Sequence, residues 1–301
     1  MPMNKRILVT GTHRSGTTWM GKILSANSDV SYIHEPFNVD IGRAQFGLPI
    51  DRWFAYYPDL QDKPTFDAAY PRVLTFSKPG SAADTKYQAI APVDRLKRLV
   101  KRYRNDVLIK DPLALMSAEH LAKAYDMQVV CMIRRPLAFC SSIKKWNWAF
   151  PFEDFLAQPT LMADHFEAYR SQIETFADKE QNIIDQGILL WNLFHSVIQT
   201  YQQRHPDWVF LKHEDVTLAP MPHFETTYRR LGLPFTEKAK QAVKASSQSS
   251  AGETKDHEFK ARDKQAVLTT WQDRLTQEEV ERINEQTREL SAVFYPDDDA
   301  A

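Results

Sequence analysis

The sequence predicts an α/β protein in which a central, mainly parallel sheet is flanked by helices and the C-terminal third is helical. Short apolar runs typical of buried strands alternate with segments of helical periodicity, as in folds built from parallel strands and crossover helices. A loop at 11–18, with glycines at 11 and 16, joins the first run to the first helix. Four runs lead directly into this loop or into charged residues, which indicates a ligand site at one edge of the sheet.

The predicted elements are short and ordered strand–helix–strand along the chain. The apolar runs predict strands at 7–10, 30–33, 107–109, 128–133 and 208–211. The spacing of apolar residues predicts helices near 18–27, 92–104, 117–125, 137–147, 160–176, 180–203, 221–231, 236–245 and 276–291. The helix at 92–104 is basic, and we expect a solvated face over a packed apolar stripe.

The chain of 301 residues is interpreted as one domain, 1–301, with an insertion at 38–91 that shapes an acceptor site. Lys plus Arg (38) balance Asp plus Glu (39), so the net charge of −1 gives no global field for nucleic acid. No apolar run is long enough to span a membrane, and no secretory signal is evident. We therefore expect a cytoplasmic protein with no integral membrane segment and no nucleic-acid partner.

Charged residues at the strand ends are the candidate site. Arg14 lies in the loop after the first strand, Glu35 follows the second strand, Lys110 the third and Arg134 the fourth. Because the carboxyl ends of parallel strands lie along one edge of a sheet, we expect these four side chains to converge there. The histidines have no metal-ligand spacing, and the two cysteines form no disulfide framework, so no metal is expected.

The loop nearly fits the phosphate-binding pattern G-x-x-x-x-G-K-[ST], but Thr17 stands where the lysine belongs. Backbone N–H groups and the following helix N-terminus can still hold an anion, and Arg14 adds a positive charge. No predicted strand ends in an aspartate placed to hold Mg²⁺ for ATP chemistry. The loop therefore predicts a P-loop NTPase-like fold that binds a phosphate-like anion without a metal.

These residues resemble the sulfotransferases that use 3'-phosphoadenosine 5'-phosphosulfate (PAPS), most closely in motifs the bacterial, carbohydrate and tyrosylprotein enzymes. Their 5'-phosphosulfate loop resembles residues 13–19, and the resemblance implies donor binding by Arg14, Ser15, Gly16, Thr17, Thr18 and Trp19. Arg134 and Ser142 have the spacing of the family's 3'-phosphate motif, with Ser141 as the competing hydroxyl. Trp19 stands where the adenine usually packs.

The resemblance also implies a reaction, the transfer of a sulfuryl group from PAPS to a hydroxyl or amine with release of the desulfated nucleotide PAP. Glu35-Pro36 resembles the catalytic-glutamate position, with His34 as the alternative base. Lys110 resembles a lysine motif of the tyrosylprotein enzymes, and with Arg14 it would stabilise charge on the leaving oxygen. Glu214 is expected to be structural.

Departures and alternatives stay open at this point. His13 replaces the usual loop proline, and no Arg-Lys-Gly triplet completes the 3'-phosphate site, for which Lys260, Arg262 and Lys264 are candidates. The acceptor could be a carbohydrate, lipid, peptide or small natural product. A small-molecule kinase of the P-loop type is the first alternative function. A non-enzymatic module that binds a polyanion through the loop and the basic helix is the second.

Overall fold

The computed structural model describes residues 4–75, 106–247 and 268–296. Its centre is a parallel five-stranded sheet in the order β2-β3-β1-β4-β5, flanked by helices, which confirms the predicted fold class. The strands are β1 (Arg6–Gly11), β2 (Val30–His34), β3 (Asp106–Lys110), β4 (Met127–Ile133) and β5 (Val209–Lys212). The first four strands contain the apolar runs from which they were predicted, and β5 begins one residue after the predicted start at Trp208.

The register of β3 between β1 and β2 determines which strand ends are neighbours. Lys110, the last residue of β3, pairs with Val9 of β1 and with His34 of β2. The apolar residues of these strands are buried, and Ile7, Leu8, Val9, Leu108 and Ile109 have no exposed surface. Near-continuous apolar runs are expected for parallel strands covered on both faces.

The longer helices agree with the predicted periodicity in most places. They are α1 (Thr17–Leu24), α2 (Lys63–Leu74), α3 (Ala118–Tyr125), α4 (Pro136–Trp146), α5 (Arg170–Asp178), α6 (Ile183–Arg204), α7 (His213–Leu218), α8 (Pro220–Arg230), α9 (Glu237–Ser247) and α10 (Gln277–Phe294). Shorter helical turns lie at Val39–Ile41, Gly42–Phe46, Tyr57–Asp59, Pro112–Ala114, Glu153–Leu156, Pro159–Leu161, Met162–Phe166 and Glu167–Tyr169.

The chain forms two compact units, whose division passes through β1 and β4. Unit 1 comprises Met1–Thr10 and Thr17–Val130, and unit 2 comprises Gly11–Gly16 and Cys131–Ala301. In unit 1 three buried rings, Phe37, Phe66 and Tyr70, pack against one another, with ring centroids 5.1–6.3 Å apart. In unit 2 the long helix α6 packs against α4 and α10.

Helix ends in both units follow capping chemistry. Asp62 accepts a hydrogen bond from the Thr65 N–H at the start of α2, where Pro64 is also compatible with a first turn. In unit 2, Thr276 and Glu279 form a reciprocal capping box at the start of α10. These contacts satisfy N–H groups that have no partner inside the helix.

Two predictions of secondary structure need correction. The insertion at 38–91 has no clear helical pattern in sequence, yet α2 lies within it, and Pro71 sits inside that helix. The helix predicted at 160–176 is interrupted, because Phe166 leaves helical backbone values (φ −119°, ψ 8°) while its ring packs 5.2 Å from that of Phe155. The predicted basic helix at 92–104 and the remainder of the insertion, 76–91, lie outside the described residues. The candidates for completing the 3'-phosphate site, Lys260, Arg262 and Lys264, also lie outside them.

Among the residues that the structure describes, no helix combines the length and apolarity needed to cross a bilayer.

Candidate active site

The loop after β1 has a tight backbone that needs its glycines. Gly11 has φ +126°, and a Cβ there would lie 2.2 Å from the carbonyl oxygen of Met132. Arg14 and Gly16 also have positive φ, 65° and 89°. Ser15 closes the loop, because both its N–H and its hydroxyl donate to the carbonyl of Thr12. The sequence folds this way since only a residue without a Cβ permits the close approach of β1 to β4 at Gly11.

The loop arginine belongs to a cluster with the residues predicted to bind the 3'-phosphate. Arg14 Nε donates to Ser142 Oγ at 2.9 Å, and Arg134 Nη1 donates to the carbonyl of Arg14. Ser141, the competing hydroxyl, is buried and has no hydrogen-bond partner among the described residues. The structure thus brings Arg14, Arg134 and Ser142 together, although more than a hundred residues separate the loop from α4.

Side chains from other elements of unit 2 bind the backbone of Arg134 and Arg135. Trp191 Nε1 donates to the carbonyl of Arg134 at 2.9 Å. Glu214 is buried, and its carboxylate accepts from the N–H of Arg135 at 3.1 Å and from the hydroxyl of Tyr295 at 3.0 Å. Glu214 therefore positions the start of α4, in keeping with the structural role expected from the sequence.

His13, the departure from the family's loop, is an aromatic core residue. Its ring lies 4.0 Å from that of Trp148, 5.0 Å from Phe139 and 5.6 Å from Phe194. Burial, with the charge of Arg14 adding to it, holds the pKa of His13 well below 6.5, so the ring is neutral at physiological pH. The imidazole anchors the loop by packing, where the usual proline would restrict φ.

Two residues beside the loop, His213 and Trp146, were not among the predicted site residues. The imidazole of His213, at the start of α7, is packed so closely on Gly16 that a Cβ there would lie 2.5 Å from His213 Cδ2. The indole of Trp146 is 60% exposed, and Arg14 Cζ lies 5.6 Å from its ring centre. His213 follows a strand, which is a usable signal, whereas the position of Trp146 one turn after Ser142 becomes informative only once α4 is known.

The remaining predicted donor residues have varied exposure. Ser15 and Thr17 are buried, whereas Thr18 and Trp19 are half-buried in the first turn of α1. The N-terminus of α1 begins at Thr17, directly after Gly16 in the chain.

Glu35 and Lys110 form an ion pair in unit 1. Lys110 Nζ donates to Glu35 Oε1, and the lysine is 2% exposed. The backbone N–H of Glu35 also donates to the carbonyl of Lys110 at 2.9 Å. Gly21 of α1 leaves room for this lysine, because a Cβ at Gly21 would lie 3.1 Å from Lys110 Cβ. The structure therefore pairs the predicted base with the lysine predicted to stabilise charge on the leaving oxygen.

The environment of Glu35 favours its ionised form. Burial alone would raise the pKa of Glu35, but the charge and hydrogen bond of Lys110, with His34 and Asn38, outweigh burial and hold it below 4.5. Asn38 Nδ2 donates to Glu35 Oε2 at 3.2 Å. Glu35 also has φ +46°, a left-handed conformation that costs a residue with a Cβ on the order of 1–3 kcal/mol. Such strain is characteristic of functional sites.

His34, the alternative base, is the more exposed of the two. Its Nε2 lies 3.7 Å from Glu35 Oε2, and its side chain is 48% exposed against 18% for Glu35. Its Nδ1 lies 3.4 Å from the hydroxyl of Tyr32. The histidine is therefore placed as a neighbour that adds positive charge beside Glu35 when it is protonated.

Asp111 is a strand-end carboxylate that the sequence analysis did not count. It directly follows β3 and is fully buried, and its two oxygens accept from the N–H groups of Phe37 and Leu113. A carboxylate committed to two backbone amides is not arranged as an Mg²⁺ ligand. Within the described ranges, no group of three or more His, Cys, Asp or Glu side chains is arranged to hold a metal ion.

The comparisons with known proteins agree with this architecture. A family model described as the sulfotransferase family matches residues 6–237. The sulfotransferase domain of the curacin biosynthetic pathway superposes with a TM-score of 0.51 at 15% identity, covering 95% of this chain and 98% of that one. This second similarity supports the fold alone.

Two other sulfotransferase structures have lower TM-scores. The domain from the Synechococcus PCC 7002 olefin synthase gives 0.49 at 14% identity, covering 95% of each chain. Mouse SULT7A1, solved with PAP, gives 0.45 at 11% identity, covering 95% of this chain and 83% of that one. A search of curated proteins gives no match. The family match covers most of the chain and includes the loop, both strand-end arginines and the Glu35–Lys110 pair, so this protein belongs to the sulfotransferase family.

Proposed function

We propose that this protein transfers a sulfuryl group from PAPS to a hydroxyl or amine acceptor and releases PAP, without a metal ion. One observation carries the proposal: Arg14, Arg134 and Ser142 form one hydrogen-bonded cluster at the phosphate-type loop, where Thr17 replaces the lysine of an ATP-binding loop. Family membership supports sulfotransfer in general. The choice of PAPS rests on this cluster and on the motif resemblance.

The donor's phosphates are assigned to the residues of the cluster and the loop. Arg134 and Ser142 would hold the 3'-phosphate, for which the fork of a guanidinium is well suited. The start of α4, with Pro136 in its first turn, also favours an anion. Arg14 and the loop residues from Ser15 to Thr18 would hold the 5'-phosphosulfate. Trp19 is half-buried, which leaves part of the indole for packing against the adenine.

The chemistry is assigned to the ion pair. As the acceptor oxygen or nitrogen forms its bond to sulfur, the bond between sulfur and the 5'-phosphate oxygen of PAP breaks. Glu35 accepts the proton that the acceptor loses, while Lys110 and Arg14 stabilise the negative charge on the leaving oxygen. The lowered pKa of Glu35 supports this role by keeping the carboxylate ionised, although it also makes the carboxylate a weak base.

The insertion at 38–91 is assigned to the acceptor. Its described part contains Phe54, Phe66 and Tyr70, which are fully buried and serve the core, so they do not line a pocket. Trp53, Tyr56 and Tyr57 are only half-buried and supply the aromatic surface for an acceptor. This surface is compatible with a sugar, a lipid, a peptide or a small natural product.

Transfer of label from [³⁵S]PAPS to a panel of hydroxyl and amine acceptors, in excess EDTA, tests this function. We expect a labelled acceptor and PAP in equal amounts. Transfer of label from [γ-³²P]ATP with Mg²⁺, in place of sulfuryl transfer, would instead identify a kinase. Binding of sulfated polymers without any nucleotide dependence and without turnover would identify a polyanion-binding module.

A further inference from the structure

We propose that Asp111 is the positioning residue of this enzyme: it fastens the turn after β2 to the end of β3 and so holds Glu35 against Lys110. The proposal rests on the role proposed above for Glu35. Asp111 has no exposed surface and lies next to Lys110 in the chain. It touches no reacting group in this arrangement, so its effect passes through Glu35.

The hydrogen bonds of Asp111 connect the turn after β2 with the turn after β3. Its Oδ2 accepts from the N–H of Phe37 at 2.6 Å, two residues after Glu35. Its Oδ1 accepts from the N–H of Leu113 at 3.0 Å, at the start of the turn Pro112–Ala114. The backbone N–H of Asp111 donates to the carbonyl of Val9 at 2.9 Å, which fixes the aspartate to β1. A single buried side chain therefore braces the Glu35 turn against the sheet.

The conformation of Glu35 requires such a brace. Its left-handed backbone (φ +46°) is unfavourable for a residue with a Cβ and persists only where surrounding contacts enforce it. Two backbone bonds act directly on the turn, from the Glu35 N–H to Lys110 and from the Asn38 N–H to the carbonyl of Glu35. The hydrogen bond from the Phe37 N–H to Asp111 fixes Phe37, which lies between Glu35 and Asn38 in this turn. Without it, Glu35 can relax to an ordinary conformation and move its carboxylate away from Lys110.

Charges around the pair allow this displacement to be measured. The groups that face Glu35 are Lys110, His34, Asp111 and Tyr32, and those that face Asp111 are Glu35, Lys110, Tyr32 and Tyr70. Burial, with the charge of Glu35 adding to it, raises the pKa of Asp111 to about 8, so Asp111 is uncharged in the acidic range where Glu35 titrates. Asp111→Asn therefore removes no charge in that range, whereas loss of the ion pair with Lys110 would raise the pKa of Glu35. A raised pKa of Glu35 in Asp111→Asn thus reports a displaced carboxylate.

The test is a ¹³C NMR titration of the Glu35 carboxyl in the full chain, with the signal assigned by its loss in Glu35→Gln. We expect Asp111→Asn to raise the pKa of Glu35 and, with an acceptor in hand, to lower kcat by about 10²-fold while KM for the donor changes little. Asp106→Asn is the matched control, because Asp106 accepts the N–H of Lys5 at the other end of the same strand. That control should leave the pKa of Glu35 unchanged.

A lowered or unchanged pKa of Glu35 in Asp111→Asn would overturn the positioning role. If Asp111→Asn does not fold, hydrogen exchange of the wild-type Phe37 amide decides the question. We expect this amide to exchange slowly despite its place in a turn, and fast exchange would refute the brace. Neither readout needs turnover, so they remain decisive if Glu35→Gln proves fully active and the proposed role of Glu35 itself fails.

Discussion

Positive charge is used differently at two sites, the arginine cluster of unit 2 and the Glu35–Lys110 pair of unit 1. In the cluster, Arg14 donates to the hydroxyl of Ser142, and Arg134 donates to the carbonyl of Arg14. In the pair, a buried ammonium bonds a carboxylate, and the two charges offset each other. We propose that the first arrangement holds the phosphates of the donor and that the second acts on a proton.

This difference predicts that binding and turnover can be lost separately. Glu35→Gln keeps the shape of the side chain but cannot accept a proton at neutral pH, so kcat should fall by about 10²–10⁴-fold. PAP affinity, measured by calorimetry, should stay close to that of the wild type. Asp40→Asn is the control, since Asp40 is an exposed carboxylate five residues later. Full turnover in Glu35→Gln, with loss in His34→Ala, would transfer the role of base to His34.

Removal of the lysine should have the next largest effect. Lys110→Met keeps the aliphatic stem but removes the charge proposed to stabilise the leaving oxygen, and we expect kcat to fall by about 10²-fold. The same change leaves Glu35 without its partner, so the free energy of unfolding should also fall, by roughly 3–5 kcal/mol. Steady-state kinetics and chemical denaturation measure the two effects. A variant with unchanged kcat would limit Lys110 to a structural role.

Substitutions in the arginine cluster should weaken PAP binding, whereas those in the ion pair should lower kcat. Arg134→Ala and Ser142→Ala should each weaken PAP binding by roughly 1.5–3 kcal/mol, the value of a charge-assisted hydrogen bond. Adenosine 5'-phosphosulfate, which lacks the 3'-phosphate, should lose much less affinity. Ser141→Ala is the matched control on the same helix. Equal losses for both ligands would show that Arg134 and Ser142 do not contact the 3'-phosphate.

The smallest effect expected is a pH dependence of stability. Because Lys110 holds the pKa of Glu35 below its ordinary value of 4.5, the pair contributes stability that is fully present above about pH 4.5. This contribution is lost as pH falls through the lower pKa of the folded state. The difference in Tm between wild type and Glu35→Gln should therefore shrink as the solution is acidified below pH 4.5. A difference that grows on acidification would contradict the ion pair.

The fold could be predicted from sequence because its strands are short, mostly apolar runs that lead either into the glycine loop after β1 or into charged residues. The same feature identified Arg14, Glu35, Lys110 and Arg134 as candidates, since parallel strands end at one edge. The helix α2 was missed because buried aromatic residues and an internal proline obscure its periodicity. The local sequence pattern thus identified the candidate site residues. In the insertion, tertiary packing formed a helix that the local pattern did not indicate.

The contacts of the site could not be predicted in the same way. The left-handed backbone of Glu35, the two amides bound by Asp111 and the packing of His213 on Gly16 depend on segments far apart in the chain. No local rule places a glutamate at positive φ, a conformation in which glycine and asparagine are usual. These features are a property of the assembled sheet, not of any one segment.

Calorimetric titration of PAP in excess EDTA, into wild type and Glu35→Gln, tests the central claim most directly. We predict that PAP binds both proteins with similar affinity, that EDTA does not weaken binding, and that ATP with Mg²⁺ binds more weakly than PAP. Loss of PAP binding on chelation, preference for ATP, or loss of PAP affinity in Glu35→Gln would contradict a metal-independent donor site that is separate from the catalytic pair.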